Sequence, residues 1–288
     1  MKFALSTVAC PTWTLDRAID LARRTGFGGV ELRTLGPADP TLACDPCHTD
    51  GGKVREWCDE AGVEVAGIAT SIRFDAPVWP PVIGRALGDF DKPVRACKAM
   101  VDVARDAGAG YVRVFGFELR PGEDRERGSR RIVERLSAAA TTARHTGVRV
   151  AVESGGSFAA ARDLMHLVDR CSDPLVAAGY SVGAGAAAGD DPARAVIELG
   201  DRLAFVKITD LKDGKPVALG EGDLPLEDVV GALARTGFGG WVVVEWPRLW
   251  MPELADAERV VAQAAERLYR WSSAGGAAFS RRPAYAGV

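Results

Sequence analysis

Read for hydrophobic spacing, the chain repeats one phrase: an amphipathic stretch of helical period, a glycine, then a short run that is almost wholly apolar and β-branched. It occurs as Arg24-Thr-Gly26-Phe-Gly-Gly-Val-Glu-Leu, Glu60-Ala-Gly62-Val-Glu-Val-Ala-Gly-Ile, Asp106-Ala-Gly108-Ala-Gly-Tyr-Val-Arg-Val and His145-Thr-Gly147-Val-Arg-Val-Ala-Val-Glu. It returns as Arg235-Thr-Gly237-Phe-Gly-Gly-Trp-Val-Val-Val-Glu, and Thr-Gly-Phe-Gly-Gly is identical at 25–29 and 236–240. A glycine at that place ends a helix in the left-handed conformation. A continuous apolar run after it reads as a parallel strand covered on both faces. Between Gly147 and Gly237 there is room for two further units, filled by strand-like runs at Val176–Val182 and Leu203–Ile208. With an opening strand at Lys2–Ser6 the count is eight. The spacing predicts helices over 14–25, 91–107, 124–146 and 256–271.

Eight strands alternating with helices predict an α/β fold, a single (β/α)8 barrel over residues 1–272, with 273–288 as a loose basic tail. A doubly wound open sheet is the alternative, but no Gly-x-Gly-x-x-Gly follows the first strand as its nucleotide-binding form needs. The Ala- and Gly-rich segment Gly183–Gly189 reads as a loop at the barrel mouth.

Composition changes this picture little. The 288 residues are 47% hydrophobic and 26% charged, with a net charge of −3, which gives no electrostatic case for nucleic acid or an anionic membrane. No apolar run has the length of a membrane span and the first residues lack a signal-peptide core, so a cytoplasmic protein is expected. Homo-oligomerisation is left open. The six cysteines are expected as free thiols. Cys44-Asp-Pro-Cys47-His48 matches a haem-attachment signature, but that chemistry needs export and zinc would need a second ligand pair. It is read as a loop, with a redox pair as the alternative.

A barrel builds its site at the carboxyl ends of its strands. The polar residues there are Glu31 and Arg33, Arg73, Arg113, Glu153, Ser181, Lys207 and Asp210, and Glu245 with Arg248. Two carboxylates and a lysine in an otherwise apolar mouth suit acid–base chemistry.

Several segments carry a resemblance: Ser6-Thr-Val-Ala-Cys-Pro-Thr-Trp13, Gly28-Gly-Val-Glu31-Leu-Arg33, Val112-Arg-Val-Phe115-Gly, Val152-Glu153-Ser-Gly-Gly-Ser-Phe158, Leu219-Gly-Glu-Gly-Asp223 and Val244-Glu245-Trp-Pro-Arg-Leu-Trp250-Met-Pro-Glu253. In order and spacing they resemble the xylose isomerase-like TIM barrels, the sugar phosphate isomerase/epimerase type, from the first strand to about residue 270. The resemblance implies one divalent metal held by Glu, Asp, His and Glu on strands five to eight. The two glutamates match Glu153 and Glu245. The aspartate falls on Ser181, the histidine on Lys207, a further histidine on Gly155 and a loop position on Ala184. The chain has only three histidines, His48, His145 and His166, and none is at a strand end. A charged lysine cannot ligate a metal. Its ammonium can instead neutralise Glu153 and Glu245, so no metal and no other cofactor is expected.

These residues predict a metal-independent isomerase, epimerase or related lyase or cyclase. It moves protons on an oxygenated, anionic or polyhydroxylated small molecule, with Glu153, Glu245 and Lys207 as the reacting group. Glu31, Arg33, Arg73, Arg113, Ser181, Asp210, Arg248 and Trp250 are assigned to substrate binding. One carboxylate would serve as base and Lys207 as acid or as electrostatic support. A Schiff-base role for Lys207 conflicts with the neighbouring carboxylates, which raise its pKa. Trp13, Trp246 and Trp250 are either stacking surfaces or packing, Cys10 a wall residue, and Asp210 equally a loop anchor. Two other readings remain: a metal-dependent sugar isomerase using Glu31 or Asp210 beside the two glutamates, and a non-catalytic barrel that binds a ligand or partner.

Overall fold

The computed structural model describes residues 1–76 and 91–274. The repeated phrase becomes a closed parallel barrel of eight strands: β1 (Lys2–Ser6), β2 (Gly29–Arg33), β3 (Glu64–Arg73), β4 (Tyr111–Phe115), β5 (Arg149–Glu153), β6 (Val176–Ser181), β7 (Leu203–Ile208) and β10 (Trp241–Val244). β1 closes the ring by pairing with both β2 and β10. The helix Leu15–Thr25 shows how each unit is made. Leu15, Ala18, Ile19 and Ala22 recur at helical spacing and are buried, and Gly26 ends the helix at φ 84° with its N–H donating to the carbonyls of Ala22 and Arg23. A left-handed residue there satisfies otherwise orphaned carbonyls, and glycine adopts it without a Cβ clash.

Two apolar layers result. The larger lies between strands and outer helices. The smaller fills the barrel interior with Ala4, Tyr111, Ala151, Ala177, Phe205, Trp241 and Val243. Tyr111 and Phe205 stack there, with centroids 4.6 Å apart. This plug makes the interior a packed floor rather than a pore, and only the carboxyl ends of the strands are left for polar groups.

Several expectations need correction. Gly183–Gly189 is not a loop throughout: Val182–Ala187 forms a short helix directly after β6. Alanines supply the propensity, and Gly185 lies where any side chain would strike Tyr180. The helix expected over 124–146 stops at Thr142, because the chain turns through His145 and Gly147 at positive φ. The last helix, Ala257–Ala274, runs two residues past the expected end of the barrel, and the remainder of the expected tail, 275–288, lies outside the described residues. An antiparallel hairpin, β8 (Asp210–Lys212) with β9 (Lys215–Val217), went unanticipated. Its turn is Asp213-Gly214, both at positive φ, a strong hairpin signal. Among the described residues no helix is long and apolar enough to cross a membrane.

Candidate active site

The site is set by alternation along the strands. Inward-facing residues two apart on β2 are Glu31 and Arg33, and on β4 Tyr111 and Arg113. Glu153 ends β5, Lys207 lies next to Ser181 in register, and Glu245 follows the last residue of β10. Glu31, Glu153 and Glu245 therefore converge from separate parts of the barrel on one point. That point is Lys207 Nζ, 3.3 Å from Glu31 Oε2, 3.1 Å from Glu153 Oε2 and 3.0 Å from Glu245 Oε2. Arg113 Nε adds a second cation 3.5 Å from Glu153 Oε2.

The four groups are unequally buried. Glu31 is fully enclosed and accepts hydrogen bonds from the Ser6 and Tyr111 hydroxyls, both 3.0 Å. The Lys207 side chain is 4% exposed, that of Glu153 8% and that of Glu245 19%. Glu245 is thus the carboxylate open to the mouth. Burial works against a charged Lys207, but Glu153, Glu245 and Glu31 outweigh it and raise its pKa above the ordinary lysine value. Burial likewise pushes the Glu31 carboxyl up, yet Lys207, Arg113 and its two hydroxyl donors leave it below the usual carboxylate range. The cluster is held as an ammonium among carboxylates.

The other expected site residues separate into two groups. Arg33 and Trp250 border the mouth: the Arg33 guanidinium carbon is 5.9 Å from the centre of the Trp250 ring, and Trp250 is 55% exposed. Arg113 and Glu31 belong to the ion cluster, with the fully enclosed Glu31 as a counter-ion for Lys207. Ser181 is half-buried beside Lys207 in the sheet. Arg248 pairs at 3.5 Å with Asp256. Arg73, half exposed at the end of β3, pairs with Asp75 at 2.7 Å and lies over the Phe117 ring at 4.7 Å. Asp210 is buried and accepts from the backbone N–H groups of Leu211, Gly220 and Gly222, which is the loop-anchoring role expected of it.

Trp13 and Trp246 are packing residues, the latter donating from Nε1 to the Ala255 carbonyl at 2.8 Å. Cys10 is buried, and burial pushes its thiol up to about 12, which suits a wall residue. In the haem-like segment Cys44 Sγ donates to the carbonyls of Thr7 and Cys10, Cys47 faces Thr34, and Asp45 caps the turn. Packing of a loop accounts for the match. Ser6 and Tyr111 were missed by the sequence reading, although Tyr111 lies two residues before Arg113 and so shares its inward face.

The donor set can be tested against the metal that the resemblance implies. Divalent ions take oxygen or nitrogen ligands at about 2.0–2.6 Å. Here the point of convergence is filled by Nζ, a donor that cannot ligate while charged, and the histidine position is the lysine itself. The residues do not fit a metal, and among the described residues no group of three His, Cys, Asp or Glu is arranged to hold one.

Residues 19–271 match the family model for the xylose isomerase-like TIM barrel, and the chain belongs to that family. Among solved structures it is similar to an L-ribulose 3-epimerase, at TM-score 0.78 and 16% identity over 96% of this chain and 95% of that one. It is similar also to the IOLI protein with a bound zinc atom (0.75, 17%, 95% and 99%). A third is a probable 3-DHS dehydratase from Bacillus anthracis (0.74, 14%, 93% and 99%). At such identities the likeness establishes the fold. A search of the curated proteins found no match.

Proposed function

We propose that this chain is a metal-independent enzyme of the isomerase or epimerase type, with related lyase or cyclase chemistry within its reach, acting on an oxygenated small molecule at the barrel mouth. The observation that carries the reading is the Lys207 ammonium lying 3.0–3.3 Å from three carboxylates, in the position the family gives to a metal-binding histidine. Epimerases and a dehydratase among the structural neighbours support the reaction class.

The roles follow from burial and charge. Glu245, the most open carboxylate, is the general base that takes a proton from a carbon next to a carbonyl and returns it. Abstraction leaves negative charge on the carbonyl oxygen, and a fixed cation in a dry site stabilises it. Lys207 supplies that charge together with Arg113. Three carboxylates hold Lys207 protonated, so it serves as electrostatic support, and a Schiff base, which needs the neutral amine, is excluded. Glu31 and Glu153 keep the ammonium in place. The reading that builds a metal site from Asp210 loses its ligand, because that carboxylate is engaged by backbone amides.

The test is deuterium exchange. Chelator-treated protein in deuterium oxide should wash deuterium into the carbon next to the carbonyl of a ketose or keto-acid substrate, and Glu245→Gln and Lys207→Met should each abolish it. Exchange that appears only after a divalent metal is added would overturn the proposal.

A further inference from the structure

Packing explains the ring of Tyr111 but not its hydroxyl. The residue is buried in the interior plug among Ala4, Ala66, Ala151 and Phe205, and its ring stacks on Phe205 at 4.6 Å. Gly67 on β3 makes room for it, since any side chain there would strike the ring. Phenylalanine would fill that space, as Phe205 does across the stack, without taking a hydroxyl out of water. A buried hydroxyl is costly unless it is hydrogen-bonded. This one donates to Glu31 Oε1 at 3.0 Å. Burial and the Glu31 charge raise the phenol well above its ordinary value, so it remains a donor.

The three carboxylates around Lys207 are held differently. Ser6 donates to Glu31 Oε2 and Tyr111 to Oε1, so both oxygens are engaged and the carboxylate plane is fixed, with Lys207 Nζ 3.3 Å from Oε2. Among the described residues no hydroxyl donates to the carboxylate of Glu153 or Glu245, and Glu153 Oε2 has its ion contact with Lys207 but no hydrogen bond. Glu31 is thus the rigid member of the set. We infer that Tyr111 is a positioning residue for the reaction proposed above: its hydroxyl, acting through Glu31, fixes the Lys207 ammonium where the charge develops on the substrate. The role in the reaction rests on that reading; the support of Lys207 rests on the hydrogen bonds alone. Tyr111 lies in the floor and touches no substrate. Without its hydroxyl, Glu31 Oε1 is a bare acceptor in an enclosed place, where solvent cannot stand in for the lost donor. The carboxylate then reorients, and the ammonium loses one of its three fixed partners.

Tyr111→Phe keeps the ring and removes only the donor. Trp241→Leu opens the same floor layer and removes no donor to the cluster, so it serves as the structural control; Trp241→Phe takes its place if it does not fold. The ligand-free, chelator-treated protein reports through the nitrogen–proton signal of the Lys207 ammonium, assigned by its loss in Lys207→Met or, if that variant does not fold, in Lys207→Arg. Exchange of the ammonium protons with water should be about tenfold faster or more in Tyr111→Phe, as for a lost hydrogen bond to a charged group. It should be unchanged in the control, even where the control lowers the urea midpoint as far. In the deuterium wash-in assay Tyr111→Phe should lower kcat by a similar factor with KM unchanged, and the control should keep the wild-type kcat. An ammonium signal that Tyr111→Phe leaves as it is, or that both variants move alike, would overturn the inference and leave Tyr111 as packing. So would a disturbed ammonium with an unchanged kcat. A wild type without wash-in would sink the proposed function, while the ammonium comparison would still decide whether Tyr111 holds Lys207, so the two fail separately.

Discussion

Replacing Lys207 by Met removes one charge from the centre of the barrel and keeps most of the stem's volume. Three carboxylates that lay 3.0–3.3 Å from the ammonium then face one another, with Arg113 at 3.5 Å from Glu153 as the remaining close cation. Taking one partner from a buried ion pair costs about 3–5 kcal/mol. With Glu31 fully enclosed, the upper half of that range is expected at pH 8. The loss should depend on pH, because the folded variant can take up a proton to relieve the repulsion. Its carboxyl pKa values then exceed the unfolded ones, the folded state binds more protons, and stability falls as pH rises between the two. Each unit of pKa elevation returns about 1.4 kcal/mol on acidification. The wild type behaves differently. Lys207, raised in the folded state, contributes fully below the unfolded lysine value of about 10.4 and loses its contribution as pH rises through its higher folded value. Glu31, lowered, contributes above about 4.3 and loses it as pH falls through its folded value. Between those limits these two groups leave wild-type stability flat. Urea unfolding at a series of pH values from 5 to 9 separates the cases. A Lys207→Met variant that loses less than about 1 kcal/mol, the range of an exposed ion pair, with no pH slope would refute the reasoning. So would a wild type whose stability slopes as steeply as the variant's.

Other outcomes follow from the same geometry. Glu245→Gln should lower kcat by about 10²–10⁴-fold, as for loss of a general base, with little change in the urea midpoint. Gly179→Ala would drive a methyl into the Phe205 ring, which is stacked on Tyr111, so a loss of about 1–3 kcal/mol is expected from overpacking; an unchanged midpoint would show that the interior plug yields. Cys10 and Cys97, buried and with thiols pushed up to about 12, should resist a thiol reagent at pH 8 in the folded protein and react once it is unfolded. Rapid labelling of either in native buffer would contradict the packing described.

The fold was legible because helix-ending glycines and apolar strands recur in one order, and both signals are local. The convergence of Glu153, Glu245 and Lys207 could be expected from their strand-end positions. The part played by Glu31 could not. Whether it binds substrate or lies beneath the ammonium depends on how far the Tyr111–Phe205 plug rises in the barrel, which only packing decides. Arg73 and Arg33 look alike at the ends of adjacent strands. One finds Asp75 two residues later and pairs with it, while the other is held by Ala69 and Ser71, partners set by strand register rather than by sequence proximity. The helix Val182–Ala187 was hidden by its glycines, and the Asp213-Gly214 hairpin by strands of three residues each, too short to carry an alternating pattern.

The central claim is that a lysine stands where the family holds a metal. Mass spectrometry of metals in the purified protein tests it most directly, before and after incubation with manganese, magnesium, zinc and a chelator. The account predicts a content near zero that incubation does not raise, and a proton-exchange activity indifferent to the chelator. A tightly held ion at about one per chain, as a built site would give, would contradict it.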